Sequence, residues 1–289
     1  MIQQFGGDWT EKKLACIQKY LEAYTKIMSK TRYRFAYIDA FAGTGYREIK
    51  DEDTGQVSFP ELTELEPQSF LAGSVQRSLE VKPPFDKYIF IERDPVKFAD
   101  LAASIESHPD LKDRIRAINE DANEYLSDLC RYDWKRHRAV LFIDPFGMQV
   151  KWTTIECIAR TKAIDMWLLF PLGIGVSRLL KNNGQIKESW KNKLDDIFGT
   201  KDWFNEFYKI TIEENLFGKA ERLSKDVDFE RISSFFIKRL KTVFNKVSER
   251  PAKLINSKNN PLFLLCFAAG NPVGAKTAVK IADDLLRGI

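Results

Sequence analysis

The spacing of apolar residues changes twice along this chain. Over residues 9–30, Leu14, Ile17, Leu21, Tyr24 and Ile27 recur at steps of three and four, with Lys and Glu on the other face, which predicts an amphipathic helix. The helical spacing then gives way to short continuous apolar runs at 34–40, 87–92, 115–118, 139–144 and 165–170. Helical stretches separate them, beginning at Asp94-Pro95 and covering 122–130 and 152–159. Strands that are apolar throughout, rather than alternating, are covered on both faces. The pattern predicts an α/β doubly wound Rossmann-like sheet.

From Val176 to about Arg250 the helical spacing returns, in Leu179, Leu180, Leu194 and Ile197 and then in Phe229, Ile232, Phe235, Phe236, Leu240 and Phe244. No strand run is legible there, so the segment reads as a helical insertion before the last two strands, at 252–255 and 262–269, and a final helix over 273–286. Three regions follow: a cofactor-binding core with its N-terminal helix (1–175), the insertion (176–250), and the strands and helix that complete the core (251–289).

The candidate chemistry lies where strands end. Asp39 closes the first strand, and Phe41, Ala42, Gly43, Thr44 and Gly45 follow. Glycine allows a tight turn and close approach of a ligand to the backbone. An acid in front of the glycines disfavours a pyrophosphate and favours a ligand with a positive centre, such as S-adenosylmethionine. Glu92 closes the second strand, where a carboxylate can accept from ribose hydroxyls. Asp121 follows the third and can serve the adenine or cap the next helix. Asp144, Pro145, Phe146 and Gly147 follow the fourth. Asp144 and the Pro145 carbonyl can accept from an amino group while Phe146 faces a planar ring, which is catalysis by positioning. The polar, acidic stretch 46–70 is expected to be a lid, and 73–79 to open the displaced first helix.

Charge sharpens the picture of the insertion. The chain of 289 residues carries a net +4, whereas 176–261 holds 18 Lys and Arg against 12 Asp and Glu. Arg178 and Lys181 lie nearest the core in sequence, and Lys187, Lys191 and Lys193 surround Trp190. Basic and aromatic residues together suit a phosphate backbone and a stacked base, although the interleaved acids equally suit a solvated helical surface. The four separated cysteines and two histidines have no metal-ligand spacing. The N-terminus lacks a signal-peptide pattern, and the longest apolar runs are too short to span a bilayer. These features predict a cytoplasmic protein with no metal and no membrane association.

The motifs Y-I-D-A-F-A-G-T-G (37–45), Gly73-Ser74, I-F-I-E-R-D-P (89–95), E-D-A-N (120–123), F-I-D-P-F-G (142–147) and P-L-F-L-L-C-F-A-A-G (261–270) together resemble the three-Cys-motif partner proteins (TcmP) over nearly the whole chain. That resemblance implies a class I methyltransferase-like fold and a three-cysteine-motif protein as partner. More distantly, residues 144–147 resemble the D-P-F-G of tRNA dimethylguanosine methyltransferases and the D-P-P-Y/F of amino-methylating enzymes, from which Phe146 and Gly147 depart. The resemblance implies methyl transfer to a nucleic-acid base nitrogen; the alternative is a weakly catalytic or non-catalytic module that docks on the partner.

Overall fold

The computed structural model describes residues 8–43, 73–145, 147–215, 218–256 and 258–289. Gly45, the expected lid and Phe146 lie outside these residues. Five strands, β1 (Arg34–Asp39), β2 (Lys87–Ile91), β3 (Ile115–Ile118), β4 (His137–Ile143) and β5 (Ile164–Phe170), are parallel, in the order β3-β2-β1-β4-β5. The long strand β10 (Pro261–Ala269) extends the sheet antiparallel to β5, and pairs in turn with the short β8 (Lys246–Val247) and β9 (Ala252–Ile255).

Side-chain alternation sorts the core into two layers. Ala139, Leu141 and Ile143 of β4 and Met166, Leu168 and Phe170 of β5 face one layer, which includes α4 (Ala122–Leu129), α5 (Trp152–Arg160), α6 (Glu188–Phe198) and α8 (Phe229–Val243). Val140, Phe142, Trp167 and Leu169 face the other, formed by α1 (Asp8–Met28), α2 (Gly73–Glu80), α3 (Pro95–Glu106) and α9 (Ala275–Leu286). Strands buried on both sides are why their sequences read as unbroken apolar runs.

Two expectations change. Of the expected stripe of α1, Ile27 alone is exposed; Leu14, Ile17, Leu21 and Tyr24 are buried, and the buried face also takes in Trp9, Lys13 and Tyr20. The insertion is not all helix. After α6 and α7 (Asp202–Phe207), it carries an antiparallel hairpin of β6 (Tyr208–Asn215) and β7 (Gly218–Lys225). Ile210 and Ile212 alternate along β6 as strand residues do, but point to solvent; among the described residues only Tyr208 and Leu223 pack the hairpin against the apolar core, too few to read as a buried strand face. Among the described residues, no helix is long and apolar enough to cross a membrane.

Candidate functional site

The strand order reverses between β1 and β4, and ligands of doubly wound sheets bind outside the C-terminal strand ends at such a point. Asp39 and Asp144 stand there on neighbouring strands. Backbone bonds bind the turn after β1 to both neighbours: Ala40 N–H donates to the Phe142 carbonyl (3.0 Å) and Ala42 N–H to that of Ile91 (2.9 Å). Phe41 is half-buried against the core.

Glycine at position 43 lets the Glu92 side chain close against the turn. A Cβ at this position would lie 2.2 Å from Glu92 Cγ. The Gly43 backbone N–H also donates to the Glu92 carboxylate, which takes the Asp94 N–H at 2.6 Å as well. Burial raises the Glu92 carboxyl above its ordinary range despite these bonds. Asp94 then caps α3 through the N–H groups of Val96 and Lys97, with Pro95 at the first helical position.

Asp39 is fully buried. Its carboxylate accepts from Ser74 Oγ (2.9 Å), Tyr37 Oη (3.4 Å) and the Phe41 N–H (3.3 Å). Burial pushes its carboxyl up to about 7; the Ser74 bond opposes the rise and the nearby Asp144 charge adds to it. Ser74, in the first turn of α2, thus bridges the glycine turn to its displaced helix.

Asp121 takes the capping role. It accepts from the N–H groups of Asn123 and Glu124, starts α4, and pairs at the surface with Arg93 at 3.5 Å. Its neighbour Asn123 does more for the site. Its amide donates to the Gln149 carbonyl, and its Oδ1 accepts from the Lys151 N–H and Thr154 Oγ1. These bonds fasten the chain that leaves the Asp144 loop. Gly147 has φ +70°, the left-handed conformation that glycine adopts without strain, and Pro145 and Gly147 are buried.

Asp144 has a partner that reading the motifs missed: Lys13 Nζ stands 2.5 Å from its Oδ2. Lys13 lies four residues after Trp9 and four before Ile17, so its place in the apolar stripe of α1 was the available signal.

The insertion leaves this edge through a π-helix, Leu172–Ser177, where the Val176 N–H donates to the Pro171 carbonyl. A Cβ on Gly175 would come within 3.1 Å of Met148 Cγ, so this turn packs against the Asp144 loop. Arg178 follows as the half-buried C-cap. The ammonium groups of Lys181 and Lys187 lie 4.9 and 5.6 Å from the Trp190 ring centre, and Lys191 pairs with Glu188. Trp190 is half-buried against the core, with two cations at its ring.

The architecture recurs in solved proteins. A Legionella pneumophila protein of family DUF519 is 12% identical, with 97% of this chain and 92% of that one covered and a TM-score of 0.51. A spermidine synthase from Thermotoga maritima (10% identical, 91% and 60% covered, TM-score 0.40) and a putative S-adenosylmethionine dependent methyltransferase from Listeria monocytogenes (8% identical, 86% and 97% covered, TM-score 0.36) are similar more loosely. At such identities the likeness concerns the fold. No family model and no curated protein matches the sequence.

Proposed function

We propose that this chain is an S-adenosylmethionine-dependent methyltransferase acting on an amino group, with a nucleic-acid base as the acceptor class. The observation that carries this reading is the seat made by Gly43 and Glu92 beside Asp39 and Asp144, at the point where strand order reverses. The donor fits on two grounds. The absence of a Cβ on Gly43 lets Glu92 close on the turn, so the acid that would take the ribose hydroxyls is held against the glycine backbone. The carboxylates at this edge also suit a cationic ligand, and burial beside Asp144 makes Asp39 a group that an added positive charge would stabilise when ionised.

In this reading Glu92 accepts from ribose hydroxyls, and the turn from Phe41 to Gly43 lies along the donor backbone. Asp39 is internally bonded, so it shapes the turn and supplies negative charge. Asp121 contributes by setting α4, and its pairing with Arg93 leaves adenine contact a secondary role. When bound, the donor supplies an electrophilic methyl group. Asp144 and the Pro145 carbonyl accept from the acceptor amine and aim its lone pair; Phe146, Arg178 and Lys181 complete the acceptor side. No metal is required for this chemistry.

Calorimetry with S-adenosylmethionine, followed by radiolabelled methyl transfer to total cellular RNA, DNA and protein, tests the proposal. Donor binding and labelled nucleic acid that both disappear in Gly43→Arg, with labelling alone lost in Asp144→Ala, are the expected results; no binding by the intact protein overturns it.

The exposed Ile210 and Ile212 on one face of the hairpin favour a second reading. Under it the chain is a weakly catalytic or non-catalytic module, and the insertion docks on a three-cysteine-motif protein. Donor binding without labelled product, together with a complex lost on Ile210→Asp, would favour that reading.

A further inference from the structure

We infer that Lys13 is a positioning residue for Asp144, so that the N-terminal helix forms part of the acceptor side of the site. This rests on the role proposed above for Asp144.

A lysine on the buried stripe of a helix needs a partner, because an ammonium removed from water without one is strongly disfavoured. The Lys13 side chain is 2% exposed, its Nζ is 2.5 Å from Asp144 Oδ2, and it lies 5.2 Å from the Trp9 ring centre. Asp144 in the same pair is 26% exposed. The exposures order the pair. The ammonium is on the protein side and the carboxylate on the solvent side, so a ligand arriving from solvent meets Asp144 first. Lys13 therefore stands behind the carboxylate and holds one oxygen from the rear. The same ordering argues against Lys13 as a methyl acceptor, since its nitrogen is shielded from solvent. The pair also offsets charge where Asp39 and Asp144 repel each other.

The helix is fixed on both sides of Lys13, which makes Lys13 a rigid support. Trp9 packs against Phe263 at the start of β10, with ring centres 5.5 Å apart. Two turns beyond Lys13, Tyr20 packs on Trp167 and Phe267 and donates to Asp165.

The test uses the full chain with aspartate carboxyls labelled with ¹³C, the Asp144 signal being assigned by its loss in Asp144→Asn. Lys13→Met keeps the length of the stem and removes the charge. It is expected to shift or broaden the Asp144 signal while affinity for S-adenosylhomocysteine is unchanged. Methyl transfer should fall through kcat, on the order of 10²-fold for a misplaced acceptor. Lys13→Arg should recover part of that rate, and Lys13→Met should add little loss to Asp144→Asn, as expected of residues acting as one unit. An unchanged Asp144 signal in folded Lys13→Met, or full additivity with Asp144→Asn, overturns the inference. Should Lys13→Met fail to fold, Lys13→Arg decides: its relocated donors must disturb the Asp144 signal, and an undisturbed signal refutes the role. Failure of the methyltransferase reading shows separately, as absent donor binding in the unaltered protein, and leaves the carboxyl signal to decide the pair.

Discussion

The sheet holds a buried carboxylate at each end, and the two are used differently. At the N-terminal ends, Asp165 accepts from Tyr20 Oη (3.1 Å), from the Gly270 N–H (3.1 Å) and from the Asn271 backbone. It closes the turn from β10 towards α9, and a Cβ on Gly270 would lie 2.4 Å from the Ile164 carbonyl oxygen. At the C-terminal ends, Asp39 is just as buried and Glu92 nearly so, but the neighbouring Asp144 side chain is 26% exposed. Burial raises both acids, Asp165 to about 6 and Asp39 to about 7. A perturbed carboxyl therefore marks a well-packed strand end as readily as a site. The chain around it separates the two: a closed, backbone-saturated turn at one end, and a glycine turn with a carboxylate facing outward at the other.

The sharpest way to break this contrast is Gly43→Ala. A methyl group there should push the flexible Glu92 side chain aside and weaken S-adenosylmethionine binding by about 10- to 100-fold, the size of one or two hydrogen bonds to a charged group, with little change in melting temperature. Calorimetry beside a thermal melt checks it; wild-type affinity would remove the cofactor seat from this edge. Gly270→Ala should do the reverse. Its Cβ meets backbone, so roughly 2 kcal/mol of stability and several degrees of melting temperature should be lost, with the donor affinity of the folded protein intact.

Proton linkage separates the two acids more finely. Each favours its neutral form in the folded chain, so ionising it costs stability as pH rises. The loss begins near the ordinary carboxyl value and is complete above about 6 for Asp165 and about 7 for Asp39. A cation bound beside Asp39 would lower its pKa, so donor binding at pH 7 should release up to about half a proton. Calorimetry in two buffers of different ionisation enthalpy measures this. The release should vanish in Asp39→Asn and persist in Asp165→Asn; no release by the intact protein would place the donor's charge elsewhere. The smallest effect concerns the basic insertion. Arg178→Glu, Lys181→Glu, Lys187→Glu and Lys191→Glu together should flatten the salt dependence of RNA binding by about one unit of slope per lost phosphate contact. An unchanged slope would leave these residues as a solvated surface around Trp190.

The sheet was legible because β1, β2, β4 and β5 are covered on both faces and so announce themselves as apolar runs. Asp39, Gly43, Glu92 and Asp144 were legible because they fall where those runs stop. The hairpin was not, since Ile210 and Ile212 are exposed and their alternation sits among helices. Lys13 was hidden differently. A lysine is ordinarily a surface residue, and only its coincidence with the register of Trp9, Ile17 and Tyr20 betrays it. Asn123 hid in its own motif, because its amide serves the loop after Asp144, more than twenty residues away in sequence.

The stacked rings of Phe170 and Phe236, 3.9 Å between centres, bear on how this protein could be re-engineered. Phe236 belongs to α8, late in the segment between β5 and β8, and Ile232 and Leu240 lie buried on the same helix. Transplanting the whole segment to another scaffold would strip one wall from the sheet it left. Trimming the β6–β7 hairpin beyond Tyr208 and Leu223, which pack into that wall, would spare it, so the outer hairpin is where length and chemistry can vary without redesign of β5.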